Sequence, residues 1–178
     1  MVLISTTELT GAAAASISFA SVPQDYTDLA IRFTCRSTNA STDTNLLMVL
    51  NGNTTANQTL FPVFGNGSTA AGTASNTTAL VIGKAPAASA QANTFGNGYV
   101  YLYRYSETGI LKYGVGSSVT EDMAILAYQY GFGISTGNIS LTQAITSITI
   151  SCLAGNLAQY SSVSLYGVIK GSGGATVA

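Results

Sequence analysis

Apolar and polar residues alternate along most of this chain with a period of two. SISFA (16–20) sets Ile17 and Phe19 against serines, and DLAIRFTCRS (28–37) sets Leu29, Ile31, Phe33 and Cys35 against Arg32 and Thr34. Such alternation puts one face of a strand into a core and leaves the other outside. Between these two segments VPQDY turns the chain, with Pro23 presetting φ and Asp25 able to bond its own backbone. NLLMVLNGN (45–53) is instead a continuous apolar run, read as a strand covered on both faces, and it closes on Asn51-Gly52, a type I′ turn signal. Further strands are predicted at 79–85, 98–106, 110–117, 123–135, 144–153 and 162–171. The one helical candidate, TGAAAASI, is too short to stand alone.

Nine candidate strands joined by Gly- and Asn-rich turns, with no crossover helices, predict an all-β fold: an antiparallel β-sandwich, jelly-roll-like, of about eight to nine strands. An immunoglobulin-like sandwich is the alternative, weakened by the absence of tryptophan. Residues 1–14 read as an N-terminal arm, 15–171 as a single domain and 172–178 as a loose tail. Residues 53–78 lack periodicity and read as a long surface excursion, anchored by Leu60, Phe61, Val63 and Phe64.

Composition narrows the function classes. Only 7% of the 178 residues are charged while 47% are hydrophobic, and the net charge is −1. Such a chain has little self-repulsion to keep it monomeric, so a homo-oligomer is expected. Six scattered Lys and Arg residues form no basic stripe, which argues against nucleic acid as a partner. No apolar run is long enough to span a membrane, and the first residues lack the pattern of a signal peptide. Six Asn-x-Ser/Thr triplets are read as products of a Thr- and Asn-rich composition rather than as glycan sites. Cys35 and Cys152 lie in apolar strand segments and are expected as free buried thiols, although two neighbouring strands would allow a disulfide.

There is no histidine, which removes the commonest general base and the commonest zinc ligand. Seven carboxylates are scattered: Glu121 and Asp122 point to opposite faces of a strand, and Asp25 and Asp28 flank a turn, where capping is the expected role. No glycosidase pair, calcium loop or phosphate loop emerges, so no enzyme, metal or cofactor is expected. The aromatics remain. In NGYVYLYRYS (97–106), Tyr99, Tyr101, Tyr103 and Tyr105 alternate with aliphatic residues, so the tyrosines are expected on the outward face. That face is read as a subunit interface, as intramolecular packing or as a ligand surface. Tyr128, Tyr130 and Phe132 form a second such row.

Three stretches carry a family resemblance. ASISFASVPQDYTDLAIRFTCRS (15–37), LLMVLNGN (46–53) and AITSITISCLAGNLAQYSSVSLYGVIKG (144–171) resemble the N-terminal, inner and C-terminal patterns of tailed-bacteriophage virion proteins. The resemblance covers less than half of the chain. It implies a jelly-roll-like domain on a phage particle: a capsid decoration (cement) protein, a head fibre or a tail-associated receptor-binding module that recognises a glycan. It further implies a homotrimer, assembled in the host cytoplasm and bound to the major capsid protein or other virion proteins. Pro23, Tyr26, Asp28, Leu29, Leu165, Tyr166 and Gly167 carry over as fold determinants.

Overall fold

A computed structural model describes residues 1–54, 58–65, 70–71, 75–121, 125–134 and 142–169. These residues form an all-β sandwich of antiparallel sheets, and no helix occurs among them. The thirteen strands are β1 (Val2–Glu8), β2 (Ser16–Phe19), β3 (Asp28–Cys35), β4 (Asp43–Leu50), β5 (Gln58–Gly65), β6 (Ala70–Ala71), β7 (Ser75–Thr77), β8 (Leu80–Pro86), β9 (Gly96–Tyr103), β10 (Tyr113–Glu121), β11 (Ile125–Ile134), β12 (Ile148–Cys152) and β13 (Ser162–Val168). One sheet runs β1-β13-β3-β9-β10-β11-β5-β6, with β7 also on β5, and the other runs β2-β12-β4-β8. Successive strands β2, β3 and β4 alternate between the sheets. Late in the chain β12 returns between β2 and β4, and β13 returns beside β3. These returns give the sandwich its jelly-roll-like character.

The core lies where the two inner faces meet. Leu29, Ile31 and Phe33 of β3 and Val100 and Leu102 of β9 pack with residues of the smaller sheet such as Met48, Ile82 and Ile150. Each such burial contributes about 1.5–3 kcal/mol. Between β8 and β10 the sheets come closest. Gly83, at φ 149°, leaves no room for a Cβ over the Ser118 hydroxyl. That hydroxyl is buried without a hydrogen-bond partner.

Several expectations change. The N-terminal arm is not a free segment: Val2–Glu8 pairs with β13 along its length, and Ile4 packs against the core. β-branched Val, Ile and Thr suit that edge position. The 53–78 excursion contributes β5, which pairs with β11, so three of the strands beyond the expected eight or nine arise there. Strand pairing uses backbone groups and requires no amphipathic period. Val63 is exposed rather than docked; the side chains of Leu60, Phe61 and Phe64 lie outside the described residues. β4 is covered on one face only: Leu46, Met48 and Leu50 are buried while Leu47 and Val49 are half-buried.

Asn51 and Gly52 adopt the positive φ values of a type I′ turn, 52° and 67°. No hairpin follows, because β4 pairs with β8 and β12. Asn51 instead ties the turn to the approach of β12, accepting from the amides of Thr146 and Ser147 and donating to the Ala144 carbonyl at 2.8–3.1 Å.

Candidate functional site

The outer face of β9 and β10 is where the tyrosines of the sequence meet partners of their own kind. Register sets Tyr103 opposite Tyr113, Tyr101 opposite Val115, Tyr99 opposite Ser117 and Asn97 opposite Val119. Tyr99, Tyr103, Tyr113, Val115 and Val119 are between 41% and 54% exposed. Five large apolar side chains on two adjacent strands make a contiguous patch of the kind that marks an interaction surface. The alternation Tyr113-x-Val115-x-Ser117-x-Val119 carried the signal for the β10 half. The predicted strand 110–117 hid it, because β10 begins three residues later.

Tyr101 is anchored. Its hydroxyl donates to Asp28 Oδ2 at 2.9 Å, and its ring lies 4.8 Å from that of Tyr103, tilted by 55°. On the far side β3 places Arg32 opposite Tyr99, with the guanidinium 5.9 Å over the Tyr166 ring, a favourable cation–π arrangement. Asp28 therefore caps a turn as expected, but one distant in sequence. Its second oxygen accepts from the Arg104 amide at 2.7 Å.

That turn removes Tyr105 from the row. Arg104 has φ 48°, which ends β9 at Tyr103 and breaks the alternation. Tyr105 swings into the core, fully buried, with its hydroxyl donating to the Pro23 carbonyl. The outward assignment thus holds for Tyr99, Tyr101 and Tyr103 and fails for Tyr105, because one left-handed residue resets which face follows. Beyond the turn the Arg104 guanidinium pairs with the Glu107 carboxylate, its Nε donating at 2.7 Å. The buried Lys112 ammonium donates to the carbonyls of Arg104 and Glu107, and burial holds its pKa below the usual lysine value. A shallow depression of about 350 Å³ opens here, lined by Tyr103, Arg104, Ile110, Leu111 and Tyr113.

The remaining residues singled out from the sequence have structural places. Leu29 and Leu165 are core residues, and the Tyr26 ring lies directly over Gly167, where a Cβ would come within 2.5 Å of ring carbon. Pro23 shapes the turn that receives Tyr105, and Tyr166 supports Arg32. Tyr128, Tyr130 and Phe132 lie on β11, but their side chains fall outside the described residues. Among the described residues no group of His, Cys, Asp and Glu is arranged to hold a metal. Asp43 forms an ion pair with Lys84 at 2.7 Å, and Asp122 lies outside the described residues.

Burial and the Asp28 carboxylate push the Tyr101 pKa from 10.0 up to about 12. A phenol whose folded pKa lies above its unfolded value contributes stability that is complete below pH 10 and lost as pH rises toward 12. In a spectrophotometric alkaline titration Tyr101 is expected to ionise late, together with Tyr105, whose pKa is raised by burial, and Asp28→Asn should bring only the Tyr101 step back toward the others. A titration unchanged by Asp28→Asn would refute the coupling.

Comparison with known protein families, with curated proteins and with solved structures finds no match to this chain.

Proposed function

We propose that this chain is a structural protein of a tailed-phage particle: a capsid decoration (cement) protein that assembles as a homotrimer and binds the major capsid protein. The observation that carries this reading is the exposed aromatic face of β9 and β10 on a sparsely charged β-sandwich. Covering such a face removes apolar surface from water, and the sparse charge offers little repulsion against association. The resemblance of residues 15–37, 46–53 and 144–171 to tailed-phage virion proteins supplies the particle. With β1 incorporated in the sheet, docking to the shell falls to sheet faces and loops rather than to a free arm.

Light scattering after size exclusion tests the assembly. The wild-type chain is expected as a trimer, and the double substitution Tyr103→Ser, Tyr113→Ser as a folded monomer with unchanged circular dichroism. A wild-type monomer, or a double variant that remains trimeric, would overturn the interface. A second reading, a receptor-binding module for glycans, is favoured by the depression between Tyr103 and Tyr113 with the Arg104–Glu107 ion pair at its rim. Aromatic faces there would stack on a sugar, while the ion pair would offer donors and acceptors to its hydroxyls. Loss of binding on a glycan array by the double variant, with the oligomer intact, would select this reading.

A further inference from the structure

Among the described residues, every cationic side chain except Arg32 has a carboxylate or carbonyl partner. Arg36 holds the carbonyls of the 87–94 loop, Lys84 pairs with Asp43, Arg104 pairs with Glu107, and Lys112 is buried on two carbonyls. Arg32 is exposed on the outer face of the larger sheet, and its guanidinium meets only the Tyr166 ring, at 5.9 Å. No described carboxylate on that face supplies the missing partner. Asp28, four residues back on β3, commits its two oxygens to the Tyr101 hydroxyl and the Arg104 amide. Glu8 lies on β1, separated from β3 by β13 and so roughly 10 Å away across the sheet. Register sets Ser164 of β13 and Tyr99 of β9 on either side of Arg32, with Thr34 two residues along the same face. Tyr99 is 50% exposed. Ser164 Oγ accepts from Thr6 at 2.9 Å and keeps its own proton to donate, whereas Thr34 Oγ1 donates to Asn97 at 2.7 Å and keeps its lone pairs to accept.

We propose that this patch binds a carboxylated saccharide. Arg32 takes the carboxylate, the Tyr99 ring stacks on the apolar C–H face of the sugar, and Ser164 and Thr34 meet its hydroxyls. A guanidinium held over an aromatic ring keeps its N–H donors at its rim, where a carboxylate can accept two at once. Other carriers of negative charge fit less well. β13, β3 and β9 are each paired on both sides, so an acidic peptide finds no free strand edge to join. A nucleic acid or other polyanion needs several cations, and this patch has one. The site is separate from the depression between Tyr103 and Tyr113, and it does not require the trimer.

The test is isothermal titration calorimetry of the full chain with two matched pairs, trigalacturonate against galactotriose and sialyllactose against lactose. At least one carboxylated member is expected to bind about tenfold tighter than its neutral counterpart, as a charge-assisted hydrogen-bonded pair requires. Arg32→Gln should abolish that preference while leaving the melting temperature and the oligomer unchanged. Arg32→Lys should restore only part of it, because an ammonium lacks the fork. Tyr166→Leu, which removes the ring beneath the guanidinium, should weaken the carboxylated member and not the neutral one. Lys84→Gln, an equal loss of charge on the other sheet, should bind as the wild type does. Equal binding within both pairs, a preference that survives Arg32→Gln, loss of the oligomer together with the binding, or equally tight binding of a pentaglutamate peptide would each overturn the proposal.

Discussion

Gly98→Ala is expected to cost about 3 kcal/mol of stability, lowering the melting temperature by roughly 6–12 °C. Gly98 lies on the inner side of β9, opposite Phe33 of β3, and the Phe33 ring occupies the space a side chain would need. An added Cβ would meet the Ser117 carbonyl oxygen at 2.7 Å and Phe33 Cε2 at 2.8 Å, with Cζ closer still. Neither neighbour yields easily, since one is backbone in the β9–β10 ladder and the other a buried ring. The disturbance would also reach the candidate site, because Tyr99 follows immediately. Gly11→Ala, where a Cβ meets nothing within 4 Å, is the control and should be nearly neutral. Equal thermal unfolding of the two variants would overturn the close Phe33–Gly98 packing. Shortening the ring in a Phe33→Leu background should recover part of the loss, and the double-mutant cycle measures that coupling.

Arg36→Ala is expected to cost about 3 kcal/mol by a different route. The Arg36 guanidinium gathers the 87–94 loop: Nη1 donates to the carbonyls of Gln91 and Thr94 at 2.9 Å and to Thr94 Oγ1 at 3.0 Å, and Nη2 donates to the Ala87 carbonyl at 2.8 Å. Removing the fork takes away these four donated hydrogen bonds at once and loosens the connection between β8 and β9, whose Ala87 and Gln91 carbonyls then keep only their bonds within the loop. Arg36→Lys should restore less than half of the loss, because an ammonium is a point donor and cannot reach a spread of acceptors in one plane. Denaturant unfolding measures the cost. Hydrogen exchange at the Ala90 and Thr94 amides, which bond within the loop, locates it. Full recovery by lysine would show that charge alone holds the loop. Because this loop leads into β9, its release also loosens the strand that carries Tyr99, Tyr101 and Tyr103.

Both cases show how the sandwich presents its aromatic face. The tyrosines project from a strand fixed underneath by Phe33, at its entry by the Arg36-bound loop and at its exit by Asp28. A face held at three points keeps its side chains arranged before any partner arrives, which reduces the ordering cost of association.

Period-two alternation determined much of this protein directly. It placed Leu29, Ile31, Phe33, Val100 and Leu102 in a core and Tyr99, Tyr101 and Tyr103 outside, because adjacent residues of an extended chain point to opposite faces. Nine strand-like segments, Gly- and Asn-rich turns and the absence of crossover helices likewise pointed to an antiparallel β-sandwich. The tertiary structure decided what alternation cannot encode. A single left-handed residue, Arg104, turned Tyr105 inward, and its amide is held by a hydrogen bond to the Asp28 carboxylate that joins positions far apart in the chain. Pairing with β13 converted the N-terminal arm into an edge strand, and pairing with β11 drew part of the 53–78 excursion into the same sheet. The patch itself exists because β9 and β10 lie in register, setting Tyr103 beside Tyr113. Local sequence fixes which way a side chain points relative to its neighbours, whereas hydrogen bonds between distant segments fix which strands adjoin and where each one stops.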